Sequence, residues 1–339
     1  MHSLHLVHKP VIAIVGGESL LGKDIRALLA ESDLKAEVKL IAADAEEGSI
    51  ITPGPDEPIV MAPLLFADLG TAEIVVLAGS QESSLLAYEQ VRNVSPAPVV
   101  IDLTGALEDL PDARLRAPMV EPPGRPVEGA IQVIAHPAAI ALALFLIQLR
   151  HAGAIRRAVA EVFEPASERG QAGLDELQKQ TVGLLSFKPL AKEVYDAQVS
   201  FNMLSQYGTD SPHSLEAIEL KIDRHLASLL AAAGGAPMPS LRLIQAPVFH
   251  GYSMSVWVEF EKNPGREAML RALASNLIDV RANDEEPPTN VGAAGQSGIT
   301  VGSLTPDRNQ PLACWFWMAA DNFRIAAENA LEAIRGSLA

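Results

Sequence analysis

The sequence has little cysteine, little positive charge and no apolar run of membrane-spanning length. Its one cysteine, Cys314, excludes an intrachain disulfide and any thiolate-based zinc cluster. Cys314 sits in the apolar, strand-like stretch 312–318, so it reads as a buried structural thiol, and no metal site is expected. Only 26 lysines and arginines stand against 42 acidic residues, a formal net charge of −16. Binding a phosphate backbone or an anionic membrane draws on clustered cations, so neither nucleic acid nor a membrane is an expected partner. The longest apolar run, 138–149, is too short to span a bilayer, and the first ten residues lack the apolar core and cleavage site of a signal peptide. A cytoplasmic location is the default expectation.

What is present is enough for a large core. With 339 residues and 48% apolar content, two domains are expected. Residues 11–15 form a short apolar strand, followed by the turn Gly16, Gly17, Glu18, Ser19, Leu20, Leu21, Gly22 and a helix-period pattern. Glycines at both ends of that turn allow a backbone to approach a pyrophosphate, while Ser19 stands at the middle glycine's place and equally suits a helix cap. A second strand, 38–43, ends in Asp44, about where a dinucleotide fold puts its ribose contact. With no Arg or Lys beside it to take a 2′-phosphate, NAD fits better than NADP; a solvated acidic turn at Asp44, Glu46 and Glu47 is the alternative reading. Further continuous apolar runs at 74–78, 99–101 and 131–135, with a helix at 84–94, complete a doubly wound α/β domain. The proline- and charge-rich segment 104–128 reads as a surface loop.

The strand at 131–135 runs into His136-Pro137 and then into a helix apolar on nearly every face. Proline near a first helical turn leaves Ala138 and Ala139 where unpaired N–H groups and the positive end of the helix dipole point outward. A cysteine there would be a strong nucleophile, but the residue is Ala139, which has no such chemistry. Beyond it the pattern changes to mixed strands (157–162, 241–247, 253–260, 299–304, 312–318) and helices (174–185, 214–230, 265–276, 321–338), with a glycine-rich loop at 284–298. This is an α+β domain with a sheet covered on one face.

Taken together, the turn at 11–22, Ala78-Gly79-Ser80, Val99 to Asp102, the strand–Pro–helix at 133–149, Ala246 to Ser253, the segment from Glu286 to Gly302 and Asp321-Asn322-Phe323-Arg324 resemble the aspartate-semialdehyde dehydrogenase family, specifically its Usg-like branch. The resemblance implies a Rossmann-like domain (1–137), a dimerising α+β domain (138–318) and a C-terminal helix (319–339) returning to the first. It also implies cofactor contacts at Gly79, Ser80 and Asn322. The family reaction is reductive dephosphorylation of an acyl phosphate through a thioester, using NADP in amino-acid biosynthesis.

Carried across residue by residue, the family's catalytic roles fall on residues of other chemistry. The cysteine position is Ala139, the histidine of the Gly-His-Ser motif is Tyr252, the arginine seven residues before it is Gln245, and the phosphate-binding arginine aligns with Glu108. The glutamine before Ala166-Ser167 is Glu164, and the glutamate three residues before Lys221-Ile222 is Ile218, with Glu219 one place off. The Lys-Gly after the Asp-Asn pair is replaced near Ile325-Ala326. Without a thiol no general base recovers a thioester route. His136 and His250 are candidate substitutes, and His250 should share a strand face with Tyr252 if the strand is regular. Glu108 and Glu164 would make the family's phosphate and carboxylate sites acidic, favouring a neutral or cationic small-molecule ligand. The expectation is a homodimeric, catalytically disabled member with a binding or regulatory role, retaining NAD or NADP or no cofactor. An NAD(P)-dependent oxidoreductase that acts on an aldehyde or alcohol without a covalent intermediate is the alternative.

Overall fold

The computed structural model describes residues 9–43, 50–51, 59–122, 130–282 and 284–339. The chain divides into two compact units, one of residues 1–118, 123–135 and 326–339, the other of 119–122 and 136–325.

In the first unit β1 (Val11–Val15), α1 (Leu20–Glu31) and β2 (Glu37–Ala42) open the chain; β3 (Ile50–Ile51) and β4 (Ile59–Val60) form a separate ribbon. They are followed by β5 (Ala62–Pro63), β6 (Ile74–Leu77), α2 (Gln81–Val91), β7 (Val99–Asp102), β8 (Ala113–Arg116) and β9 (Ile131–Ile134). The strand order is β5-β2-β1-β6-β7-β9-β8, and every pairing is parallel. Strands β6 and β9 are buried along their whole length, as parallel strands covered on both faces must be. The order reverses between β1 and β6, so the turns after those two strands meet at the switch point where such sheets hold ligands.

Two local expectations change. The segment 104–128 is not all loop: Ala113–Arg116 adds β8 as an edge strand parallel to β9. Its alternation, Ala-Arg-Leu-Arg, spans only four residues, the shortest run in which that pattern marks a strand. Helix α2 also begins earlier than its apolar pattern, because Ser80 and Ser83 make a reciprocal capping box.

The second unit contains α3 (Pro137–Leu149), β10 (Ile155–Glu164), α4 (Gly170–Leu185), α5 (Leu215–Ala233), β11 (Ser240–Gln245), β12 (Tyr252–Phe260) and α6 (Arg266–Leu273). Next come β13 (Ile278–Val280), the short α7 (Asn290–Ala293), β14 (Ile299–Pro306), β15 (Ala313–Ala320) and the first turn of α8 (Asn322–Leu338), whose remainder from 326 onward belongs to the first unit. Its six-stranded sheet has the order β11-β10-β12-β15-β14-β13. Alternate residues of β10, β12 and β15 are buried, and Phe145 of α3 packs edge-on against Phe316 at 5.1 Å. On the other face the register sets Val159, Trp257 and Trp315 side by side. Val159 and Trp315 are 39% and 40% exposed. Cys314 is buried on the core face, as its apolar setting implies. Helix α8 ends in the first unit, where Gln132 Nε2 donates to Ser337 Oγ at 2.9 Å and Arg335 pairs with Asp33 at 3.0 Å.

Candidate functional site

The switch-point turn is built from close backbone packing. Gly16 has φ +85°, and a methyl group on it would come 2.4 Å from Gly79 Cα; one on Gly22 would come 2.1 Å from Gly16 O. The N–H groups of Gly16 and Gly17 both donate to Ile41 O. Ser19 settles as the N-cap of α1: its hydroxyl accepts from Gly22 N and donates to Ala78 O, both at 2.8 Å. Leu20 opens the helix behind it. Gly79 and Ser80 end β6 and cap α2. Gly16, Gly17, Ser19, Leu20, Gly22, Gly79 and Ser80 are thus brought together, while Asp44 lies outside the described residues. Glu108 belongs to this unit, half-buried in the turn after β7.

The second unit gathers the other expected residues around the start of α3. Ala139 is fully buried in its first turn. His136 is the N-cap: Nδ1 accepts Ala138 N–H at 3.3 Å, and its own backbone N–H donates to His225 Nδ1 at 2.9 Å. Nε2 then carries the proton and faces Glu168 Oε2 at 3.8 Å. Burial, and then the charges of Lys221, His225 and Arg169, hold the ring well below its usual pKa, so it is neutral. Its plane is tilted against Tyr252, 6.4 Å away.

Glu164, at the end of β10, is fully buried, but it does not leave the site simply acidic. Arg169, from the turn after that strand, pairs with Glu164 Oε1. Burial pushes the Glu164 carboxyl up to about 7, with Arg169 opposing and Glu168 reinforcing. Burial also works against the Arg169 charge, yet Glu164, Tyr207 and Glu168 keep it more firmly protonated than usual. Gln245 is consumed by structure: it accepts from Tyr207 Oη at 2.8 Å and donates to the carbonyls of Glu164 and Ala246. Three buried polar atoms, Glu164 Oε2, Arg169 Nε and Tyr252 Oη, have no hydrogen-bond partner. Burial, and then Glu168 and Glu164, raise the Tyr252 phenol well above its ordinary value, which makes it a donor and not a base.

His250 does not share a strand face with Tyr252. β12 starts at Tyr252, and Gly251 takes φ +81° beside Asn290, so the chain turns between them. His250 instead meets Ser167 Oγ through Nδ1 at 3.2 Å and Asp321 Oδ2 through Nε2 at 2.9 Å. Asn322, expected at the cofactor, is fully buried here: Oδ1 accepts Gly251 N–H at 3.2 Å, and Nδ2 donates to Ser167 Oγ and Glu168 Oε1. Sequence reading missed Arg169, Glu168 and His225. The signal for the first was an arginine five positions after a buried-strand glutamate, a spacing with no periodicity to flag it. No group of side chains suited to a metal occurs among the described residues, nor any helix long and apolar enough to cross a membrane.

Residues 146–325 match the family described as semialdehyde dehydrogenase, dimerisation domain. The chain is 28% identical over 334 residues to a USG-1 protein homolog of Pseudomonas aeruginosa, covering 93% of this chain and 94% of the relative. In fold it is similar to aspartate semialdehyde dehydrogenase II of Vibrio cholerae complexed with ASA, with TM-score 0.83, 22% identity and 98% of each chain covered. It is also similar in fold to the Candida albicans enzyme with NADP, with TM-score 0.66, 14% identity and 98% of each chain covered. The protein belongs to the aspartate-semialdehyde dehydrogenase family.

Proposed function

We propose that this chain is a homodimeric family member that has given up the thioester reaction and serves as a binding or regulatory protein. The observation that carries the reading is Ala139, buried at the helix start where an activated thiol would stand, in a chain whose single cysteine is buried in β15. The surroundings agree: His136 is tied to Ala138 N and held neutral, and Glu164 and Arg169 are paired with each other. Turnover of L-aspartate semialdehyde with phosphate and NADP or NAD, read as reduced nicotinamide, tests it. No rate above the protein-free background is expected, and a phosphate-dependent rate overturns it.

Glu164 Oε2, Arg169 Nε and Tyr252 Oη would be satisfied by a small polar ligand, and two carboxylates against one guanidinium favour a neutral or cationic one over an acyl phosphate. The switch-point turn supports a retained NAD or NADP site, as the Candida albicans relative holds NADP. The alternative, an oxidoreductase without a covalent intermediate, draws on the unpartnered, protonated Tyr252 hydroxyl as a proton donor to a carbonyl. Hydride transfer to a panel of aldehydes that ceases in Tyr252→Phe would favour it. For the dimer, the open sheet face is the natural contact: Arg157 lies 5.6 Å over Trp257, and a shallow depression of about 400 Å³ is lined by Ser255, Pro287, Pro288, Ser303, Trp315 and Trp317.

A further inference from the structure

A dinucleotide-binding fold places an acidic ribose contact at the end of its second strand. A carboxylate reaches that point here from an unexpected origin. Glu18, in the middle of the glycine turn, accepts the backbone N–H of Ala43, the residue after β2, through Oε1 at 2.7 Å. Its other oxygen, Oε2, is shielded from solvent and has no hydrogen-bond partner.

The neighbours fix this carboxylate in place. Gly16 and Gly17 clamp the turn onto Ile41 at 2.9 and 3.1 Å. Ala43 lies so close to the end of β6 that a methyl on Gly79 would come 2.9 Å from its Cβ. Glu18, the end of β2 and the glycines of the switch point therefore form one packed cluster. A shielded carboxylate oxygen without a partner is unfavourable by about 1–3 kcal/mol, and a hydroxyl donor removes that penalty. A phosphate group at the same place would meet like charge with little water to screen it.

We propose that Glu18 is the specificity-determining residue of this crevice. Its free oxygen takes a ribose hydroxyl of an adenine dinucleotide and rejects a 2′-phosphate, so the crevice selects NAD(H) over NADP(H). This rests on the retention of a nucleotide site proposed above. Calorimetric titration of the full-length, nucleotide-stripped protein with NADH and NADPH, in the native protein and in Glu18→Gln, tests it. Glutamine keeps an acceptor for Ala43 N–H while removing the charge, and a matched unfolding temperature checks that the turn is intact.

The native protein should bind NADH at least about tenfold more tightly than NADPH, and Glu18→Gln should close most of that gap by gaining NADPH affinity. NADPH binding by the variant alone also supports exclusion by the carboxylate. Equal affinities or an NADPH preference in the native protein, or a gap unchanged in the variant, overturns the role of Glu18 and leaves the nucleotide site standing. No binding of either form to either protein overturns the nucleotide site itself, and this assignment with it.

Discussion

His250 Nδ1 stands 3.2 Å from the Ser167 hydroxyl, and the opposite ring nitrogen meets Asp321 at 2.9 Å. The sequence of partners is that of a serine hydrolase, but the setting is not. Ser167 is 1% exposed, and its own N–H and that of Ala166 already donate to Phe249 O and Val248 O, so neither is free to stabilise an oxyanion. The chain of bonds is a structural lock joining the turn after β10 to the approach to β12 and the start of α8. A fluorophosphonate should leave Ser167 unmodified, and His250→Ala should cost about 1–3 kcal/mol of stability in denaturant unfolding. Labelling of Ser167 would contradict the lock.

Asp321 sets the acid side of that lock. Burial favours its neutral form, but hydrogen bonds from His250 and from the N–H groups of Gly295 and Arg324 hold its pKa below the usual carboxylate value. The stability this contributes is present above the unfolded-state pKa and is lost as pH falls through the folded one. Asp321→Asn should flatten the acid limb of a stability–pH curve; an unchanged acid limb would count against the bond network.

Glu164 acts in the opposite direction. Its pKa rises from 4.5 to about 7, chiefly through burial, so its contribution is present below pH 4.5 and lost as pH climbs to about 7. The change across that window is on the order of 3 kcal/mol. Glu164→Gln should remove this falling component, measured as the difference between native and variant unfolding free energies against pH. A difference independent of pH would show that folding leaves the carboxyl's pKa unshifted.

Gly22→Ala tests the turn. The added methyl would lie 2.1 Å from Gly16 O, a backbone atom, so α1 must shift from the sheet. A loss of about 2 kcal/mol or more is expected by thermal or chemical unfolding, against the gain of up to about 1 kcal/mol that alanine brings to an unconstrained helix position.

Trp315→Glu tests the dimer face. Trp315 and Trp257 both donate to Asp307 Oδ2, at 3.2 and 2.8 Å, so a second carboxylate there adds repulsion to lost apolar area. Light scattering should show dimer giving way to monomer, with the fold intact by circular dichroism. A dimer as tight as the native one would place the interface elsewhere.

How much of this was legible in the sequence depended on whether a residue's role follows from its neighbours along the chain. The helix at 137–149 was, because a run from Ala138 to Leu146 without a polar residue can only be buried, and His136-Pro137 marks its start. The parallel sheet was, because continuous apolar runs announce strands covered on both faces. Arg169 was not: its meaning comes from a turn that folds it back onto Glu164. Nor was the position of His250, since period-two reasoning assumes a regular strand and Gly251 breaks it. Glu18 escaped notice because a carboxylate inside a glycine turn has no motif, only a destination at Ala43.

The central claim is that the start of α3 no longer forms an acyl-enzyme. Intact-mass spectrometry after incubation with L-aspartate semialdehyde and NADP, with phosphate withheld so that any thioester accumulates, tests this most directly. The mass should be unchanged, with Cys314 unmodified on peptide mapping. An NADP-dependent aspartyl adduct on any residue of the second unit would contradict it.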